Sequence, residues 1–444
     1  VRSTDRFLVF LALGLALAAS PPAPGADLTF TVNTTEDGAD ANPGDGICAT
    51  SGGTCTLRAA VMESNHTASG TVEVRVPANA SPYVLTIPPS EPGGEASGHL
   101  KVTREVTITG AGAQHTIVDG NGSVRLFEVF ATSTLSGLTI KNGLATGSGG
   151  GVYAEGVTVT LSRCVVTGNT ASGNGGVGGG IASSLMTTLV LDRSTVSANS
   201  AAQYGGGVSA YKLTITDSTI SDNRAGLLGG GVMIFQYADI SYSTIAGNVT
   251  GSDNGGNGAG GGLCSAGSAE IFRSIIADNF ESIPNKPFPP ILSPSDCAGG
   301  PFFGTLNIVS TTSHCPIVAS VADPLLGPLQ LNGGQVPTRA LLQGSPAIDA
   351  GDPYSCPLAP TDERGAHRPS GSACDLGAYE WNANGDVDAN GTRDVADVFS
   401  LVNVLFAGGA APLGLGDVNG DTQTDIADVF SLINFLFAGG PAPL

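Results

Sequence analysis

Six short segments in the middle of this chain end in the same residue, and what surrounds that residue recurs with it. GLTIKN, CVVTGN, STVSAN, STISDN, STIAGN and SIIADN close at Asn142, Asn169, Asn199, Asn223, Asn248 and Asn279, spaced 27, 30, 24, 25 and 31 residues apart. Three glycines and an aliphatic residue follow each of the first five. These are 149–151 with Val152, 178–180 with Ile181, 205–207 with Val208, 229–231 with Val232 and 260–262 with Leu263. Aligned from Asn169 onward, position −3 reads Val166, Val196, Ile220, Ile245 and Ile276. Position −8 reads Leu161, Leu191, Ile215, Ile240 and Ile271, and position −10 reads Val159, Leu189, Leu213, Ala238 and Ala269.

Within each repeat the apolar positions alternate with polar ones, which is the period of a strand. Between repeats the same residue type returns to the same place. A coil with one repeat per turn satisfies both facts, its turns stacked at the spacing of neighbouring strands, about 4.8 Å. The aliphatic columns then fill the interior. The asparagine amides can bond from turn to turn at an inward bend. The triple glycine marks a second bend that needs positive φ or close backbone approach. A β-propeller blade of about 40 residues would need a longer repeat. The same alternation in residues 106–122 and 125–143 suggests earlier turns, so the coil is predicted over 71–280. The 65 glycines follow no Gly-X-Y period, which excludes collagen and suits turn-rich β structure.

A formal net charge of −20 argues against nucleic acid and anionic membranes as partners. Arg2 and Arg6 precede an apolar run at 7–17 and small residues at Ala16, Ala18 and Ala19. This predicts an export signal over 1–18, with cleavage after Ala18 or anywhere up to Ala26; a retained anchor is the alternative. No later segment reads as transmembrane, and an extracellular or cell-surface location follows. Export permits disulfides. Proximity pairs Cys48 with Cys55, Cys297 with Cys315 and Cys356 with Cys374, and leaves Cys164 and Cys264 free and buried.

An open coil exposes strand edges, so caps are expected at 27–70 and 281–381. In the first, residues 56–65 form a short amphipathic helix with Leu57, Ala60 and Val61 on one side. The stretch DGICATSGGTCTLRAAVMESN at 45–65 resembles the family named for its CSLREAI motif. Thr56 is followed by Ala59 where the motif has Glu, so the return bond of a capping box is missing. In the second, residues 332–352, 362–369 and 374–380 resemble, in order, the region called choice-of-anchor Q. That family implies a right-handed, pectin lyase-like parallel β-helix ahead of a sorting or anchoring segment. Asp362, Arg364, Arg368 and Asp375 are expected to tie this cap together as ion pairs.

From residue 385 the chain changes character. Oxygen-bearing side chains stand at positions 1, 3, 5, 9 and 12 of two loops 31 residues apart, each followed by an apolar helix. Position 7 offers its carbonyl. The ligands of one calcium ion would be Asp386, Asp388, Asn390, Thr392, Asp394 and Asp397. Those of a second would be Asp417, Asn419, Asp421, Gln423, Asp425 and Asp428. Gly420 at position 4 and Thr422 at position 6 predict weaker binding in the second loop. Asp at position 12, with no helix before either loop, resembles the type I dockerin over 385–444. The resemblance implies a small all-α domain around two calcium ions and a cohesin-type protein as partner. Val398 and Val402 are predicted on one helix face, Leu401 and Leu405 on another. Either copy could present the same surface.

Catalysis on a polysaccharide needs grouped carboxylates and a nearby base. The outward column at position −6 reads Arg163, Arg193, Asp217, Tyr242 and Arg273. It lacks such a group, so Arg193 and Asp217 are candidates only for the alternative function, a dockerin-borne lyase or glycoside hydrolase. A non-catalytic role in binding polysaccharide or another surface is the main expectation. Tyr211 with Phe235, and Tyr153 with Met233, could stack on sugar rings.

Overall fold

The aliphatic columns meet from turn to turn in the computed structural model. It describes residues 28–67, 70–90, 94–251, 258–283, 291–311, 315, 320–352, 356, 359–382, 385–390, 392–409, 412, 414, 416–419, 423–441 and 443. The predicted export signal lies outside these residues. The chain coils through three sheets of 16, nine and seven strands, parallel throughout except for one added edge strand. In the first sheet Leu161, Leu191, Ile215, Ile240 and Ile271 pair in register. In the second, Ile140, Val166, Val196, Ile220, Ile245, Ile276 and Val309 do the same. All are buried in one continuous core. Each such side chain contributes roughly 1.5–3 kcal/mol by leaving water. The architecture is a mainly β, parallel β-helix with three short helices among the described residues.

The coil is one rung longer at each end than the repeats predict. Leu28–Thr31 pairs in parallel with the strand Val72–Val76, ahead of the predicted start at residue 71. Beyond residue 280, Cys297–Gly299, Phe302–Thr305 and Ile308–Val309 extend the sheets. The sequence columns break there because Asp296 and Asn307 occupy the polar slots, while the backbone pairing continues.

Two polar ladders run inside this frame. Asn169 donates its backbone N–H and its Nδ2 to Asn199 Oδ1, at 2.9 and 3.0 Å. Asn199, Asn223 and Asn248 repeat the pattern toward Asn223, Asn248 and Asn279. Asn279 gives both donors to Asp296. The buried Asp296 carboxylate also accepts from the Ser310 hydroxyl and from Thr311 N–H and Oγ1. A carboxylate has lone pairs enough to end such a row. The glycine triplets fit beside it: a Cβ on Gly207 would come within 2.9 Å of the Asn223 amide.

Asn142 does not join this ladder. Lys141 pairs with Thr167, so Asn142 falls level with Gly168, in a left-handed bend at φ 54°. Its amide bonds Asp119, and Gly143 takes the ladder slot, donating to Asn169 Oδ1. Asparagine suits both places, because it tolerates left-handed backbone.

The second ladder is serine. The −6 column is itself a left-handed bend, with φ of 51, 45, 44, 46 and 52° at Arg163, Arg193, Asp217, Tyr242 and Arg273. The next residue repairs the backbone bonding the bend disrupts. Cys164, Ser194, Ser218 and Ser243 donate N–H to the hydroxyls of Ser194, Ser218, Ser243 and Ser274, and Ser274 donates to Asn307 Oδ1.

At the N-terminal end, helix α1 (Leu57–His66) covers the core. Thr56 caps it alone, accepting from Ala59 N–H at 3.0 Å. Burial extends over residues 57–64 rather than one face. Arg58, enclosed, meets Asp37 at 2.7 Å, and Asp37 also accepts from Thr86 and Ile87 N–H. The three disulfides pair as proximity predicts, and Cys164 and Cys264 are free and buried.

Candidate functional site

The C-terminal segment lies along the second sheet, over the bend that carries Arg193 and Asp217. Thr195 and Thr219 hydroxyls donate to the two carboxylate oxygens of buried Glu363. Ala378 N–H donates to Thr244 Oγ1, and Arg339 reaches Ser221 and Asp222. Asp217 is therefore buried, 3.5 Å from the enclosed Arg368. Burial pushes its carboxyl up to about 7, against the pull of Arg368. Arg193 stays half-exposed, 3.3 Å from Asp192. Thus one of the two candidates lies beneath protein, and a polymer running along the coil does not reach it.

Of the four residues expected to tie the cap together as ion pairs, Asp362 and Arg364 pair with each other, Arg368 pairs instead with Asp217 and Glu380, and the Asp375 carboxylate accepts the backbone N–H groups of Asp349 and Trp381. Arg364 meets Asp362 at 2.7 Å and lies over the Tyr379 ring at 3.6 Å. Arg368 bonds the carbonyls of Asp375 and Gly377 and stands over Tyr242 at 4.7 Å. Burial raises Glu363 well above the usual carboxylate range, and Asp375 to about 8. Five acids, Asp217, Asp362, Glu363, Asp375 and Glu380, share this interior with two arginines.

The proposed sugar platforms are uneven. Met233 is buried with Cys264 and Ala298, so it is no outward surface. Tyr153 is half-buried under Arg125, at 5.0 Å, and Phe235 is exposed.

The two acidic loops fold alike where both are described. Asp397 Oδ1 accepts from Val387 and Asp388 N–H, and Oδ2 from Asp394 N–H. Asp428 repeats all three bonds with Val418, Asn419 and Asp425. Asp394 and Asp425 then cap α2 (Val395–Phe406) and α3 (Ile426–Ala438) with matching backbone angles. In the first loop, oxygens of Asp386, Asp388 and Asp397 all lie within 4.8 Å of one another. Oxygens shared by one calcium ion at 2.3–2.6 Å stand no farther apart than about 5 Å, so this set fits it. Burial raises the Asp397 carboxyl, the cost a bound cation would offset. Asn390 and Thr392 are in the same loop, with Asn390 Oδ1 accepting from Thr392 N–H at 2.8 Å. In the second loop, Asp417, Asn419, Gln423, Asp425 and Asp428 are described. Asp421, Gly420 and Thr422 lie outside the described residues.

The helices split their apolar residues. Val398, Leu401, Val429 and Leu432 join Val387 and Val418 in a small core, with Leu405 packed beside it. Val402 is exposed, not paired with Val398: the buried face is centred on the i, i+3 pair Val398 and Leu401, which turns Val402 outward. What remains outside is a stripe at i, i+4, i+7 and i+11. Val395, Phe399, Val402 and Phe406 form it on α2, and Ile426, Phe430, Ile433 and Phe437 on α3. The four phenylalanines are 64–69 % exposed.

The three stacked sheets define a parallel β-helix protein. Among solved structures, the crystal structure of pectate lyase Pel9A is similar, with a TM-score of 0.44 and 14 % identity over 81 % of this chain and 97 % of that one. No protein-family model matches the sequence, and no curated protein matches it. The fold rests on the strand pairing itself. No helix among the described residues is long and apolar enough to cross a membrane.

Proposed function

We propose that this chain is a secreted or surface-attached modular protein. Its β-helix binds a polysaccharide or another surface, and its two-loop calcium module docks onto a cohesin-type partner. The reading is supported above all by the paired apolar stripes on α2 and α3. They sit behind equivalent capped loops, and a contiguous exposed apolar stripe of this kind marks an interaction surface. Export is supported by the three disulfides, which persist in oxidising compartments. The burial of Asp217 weighs against a catalytic groove on the −6 column.

Calorimetric titration of the chelated full chain with calcium should give two sites. Capture by a panel of immobilised cohesin domains should require calcium. It should survive Phe399→Ser or Phe430→Ser alone and be lost in the double variant. Absence of calcium binding sinks the docking role. Reducing-end release from a polysaccharide panel, in place of simple retention on it, sinks the non-catalytic one.

A further inference from the structure

A cavity of about 640 Å³ opens where the hairpin of Leu326–Gln330 and Thr338–Leu341 meets the C-terminal loops. That is within the roughly 300–1,000 Å³ of small-ligand pockets. Its wall includes Trp381, Arg393, Gln330, Gln343, Asp417 and Thr424. Two of these stand out. Trp381 is the chain's single tryptophan. It packs against the apolar cluster that contains Leu341, Leu376 and Tyr379 while also lining the cavity, and Asp375 accepts its backbone N–H. Its side chain is thus anchored on that cluster at the edge of the cavity.

Arg393 is the second. Its guanidinium lies 6.0 Å from the Phe435 ring, and its Nε is buried with no hydrogen-bond partner. Among the described residues no carboxylate pairs with it. Elsewhere the enclosed arginines, Arg58, Arg364 and Arg368, all meet acids. In a chain of net charge −20, a partly enclosed arginine without an anion marks a place where an anion belongs. Guanidinium recognises a carboxylate with two parallel bonds. A ring for the indole, a carboxylate for Arg393, and hydroxyls for Gln330, Gln343 and Thr424 together describe one ligand class.

We propose that this cavity binds a hexuronate unit of an acidic glycan, its ring against Trp381 and its carboxylate on Arg393. The site is separate from the helix stripes. Asp417 is also a proposed calcium ligand, so binding is tested with calcium present.

The lone tryptophan makes the test direct, because its emission reports this cavity alone. The full chain is titrated with galacturonate, its trimer, galactose and acetate. A saturable emission change is expected for both uronates, at least tenfold weaker for galactose and for acetate. Arg393→Gln should weaken uronate binding tenfold or more with an unchanged circular dichroism spectrum. If that variant loses helical signal, Gln343→Ala replaces it and should weaken binding at least threefold. No saturable change, equal binding of galactose or acetate, or no loss in these variants overturns the proposal. Uronate binding in a chain that takes up no calcium would leave this site standing and the docking role refuted.

Discussion

The β-helix and the C-terminal module are both built by repetition, but different things hold their copies together. In the β-helix each rung is completed by the next: Asn223 accepts from Asn199 and donates to Asn248, and Ile220 is covered by Val196 and Ile245. In the module there are only two copies around a core of six buried residues. Its acidic side chains gather at the loops, where like charges repel. Stacking suffices where neighbours are many. Where there are two, the proposed calcium ions would supply the order that stacking cannot.

That contrast can be broken most severely by chelation. Removing calcium should abolish the helical circular dichroism of α2 and α3 and leave the β signal intact; Asp397→Ala should do the same in excess calcium. Simultaneous loss of both signals would mean the regions are not independent. Next in size is a break inside the ladder. Asn223→Ala strands the Asn199 N–H and Nδ2 and the Val196 carbonyl, at a cost of about 4 kcal/mol in urea unfolding of the β-helix. The calcium affinity should not move.

Solution pH separates the cap from both. Glu363, Asp217 and Asp375 hold protons more tightly when docked than when released, their carboxyls raised by burial. As pH rises from about 4, the released segment ionises first, so docking weakens progressively until about pH 7–8. The groups facing Asp217 include Arg368, Arg193, Asp192 and Asp362. Thermal scans should show the cap transition several degrees lower at pH 8 than at pH 5, and Asp217→Asn should narrow the gap. A smaller effect is expected from Ser218→Ala, which leaves the Ser194 N–H without its acceptor while the Thr216 carbonyl keeps the Arg193 N–H, about 1–2 kcal/mol. Smallest is Phe399→Ser, within about 0.5 kcal/mol of the parent in stability, since its ring touches water already.

The sequence carried the aliphatic columns plainly, because a coil repeats its interior and five copies make the pattern visible. The disulfides and the Asp362–Arg364 pair were legible for a related reason, their partners being close along the chain, whereas Arg368 pairs with Asp217 across the fold. Asn142 misled by chemistry: the same residue type serves the ladder and the bend beside it. The serine ladder was present as Ser194, Ser218, Ser243 and Ser274, always five before the asparagine, but a small polar residue draws less notice than Val or Ile. The covering of Asp217 had no local signal at all. Glu363 and Thr195 are 168 residues apart, and no periodicity links them. The same holds for the cavity around Trp381, assembled from the cap and both ends of the C-terminal module.

The C-terminal strap has a bearing on how such a coil keeps its length. Nothing in the interior counts rungs; an asparagine can hand its bond to any successor, and Asp296 would close a shorter or longer row equally well. The strap, however, touches Gln114 through Gly334, Thr195 through Pro337, Asp222 through Arg339 and Arg273 through Gly377. Laid across the turns at these four places, it acts as a ruler, so a chain that gained or dropped one repeat between them would keep its core and lose its measure.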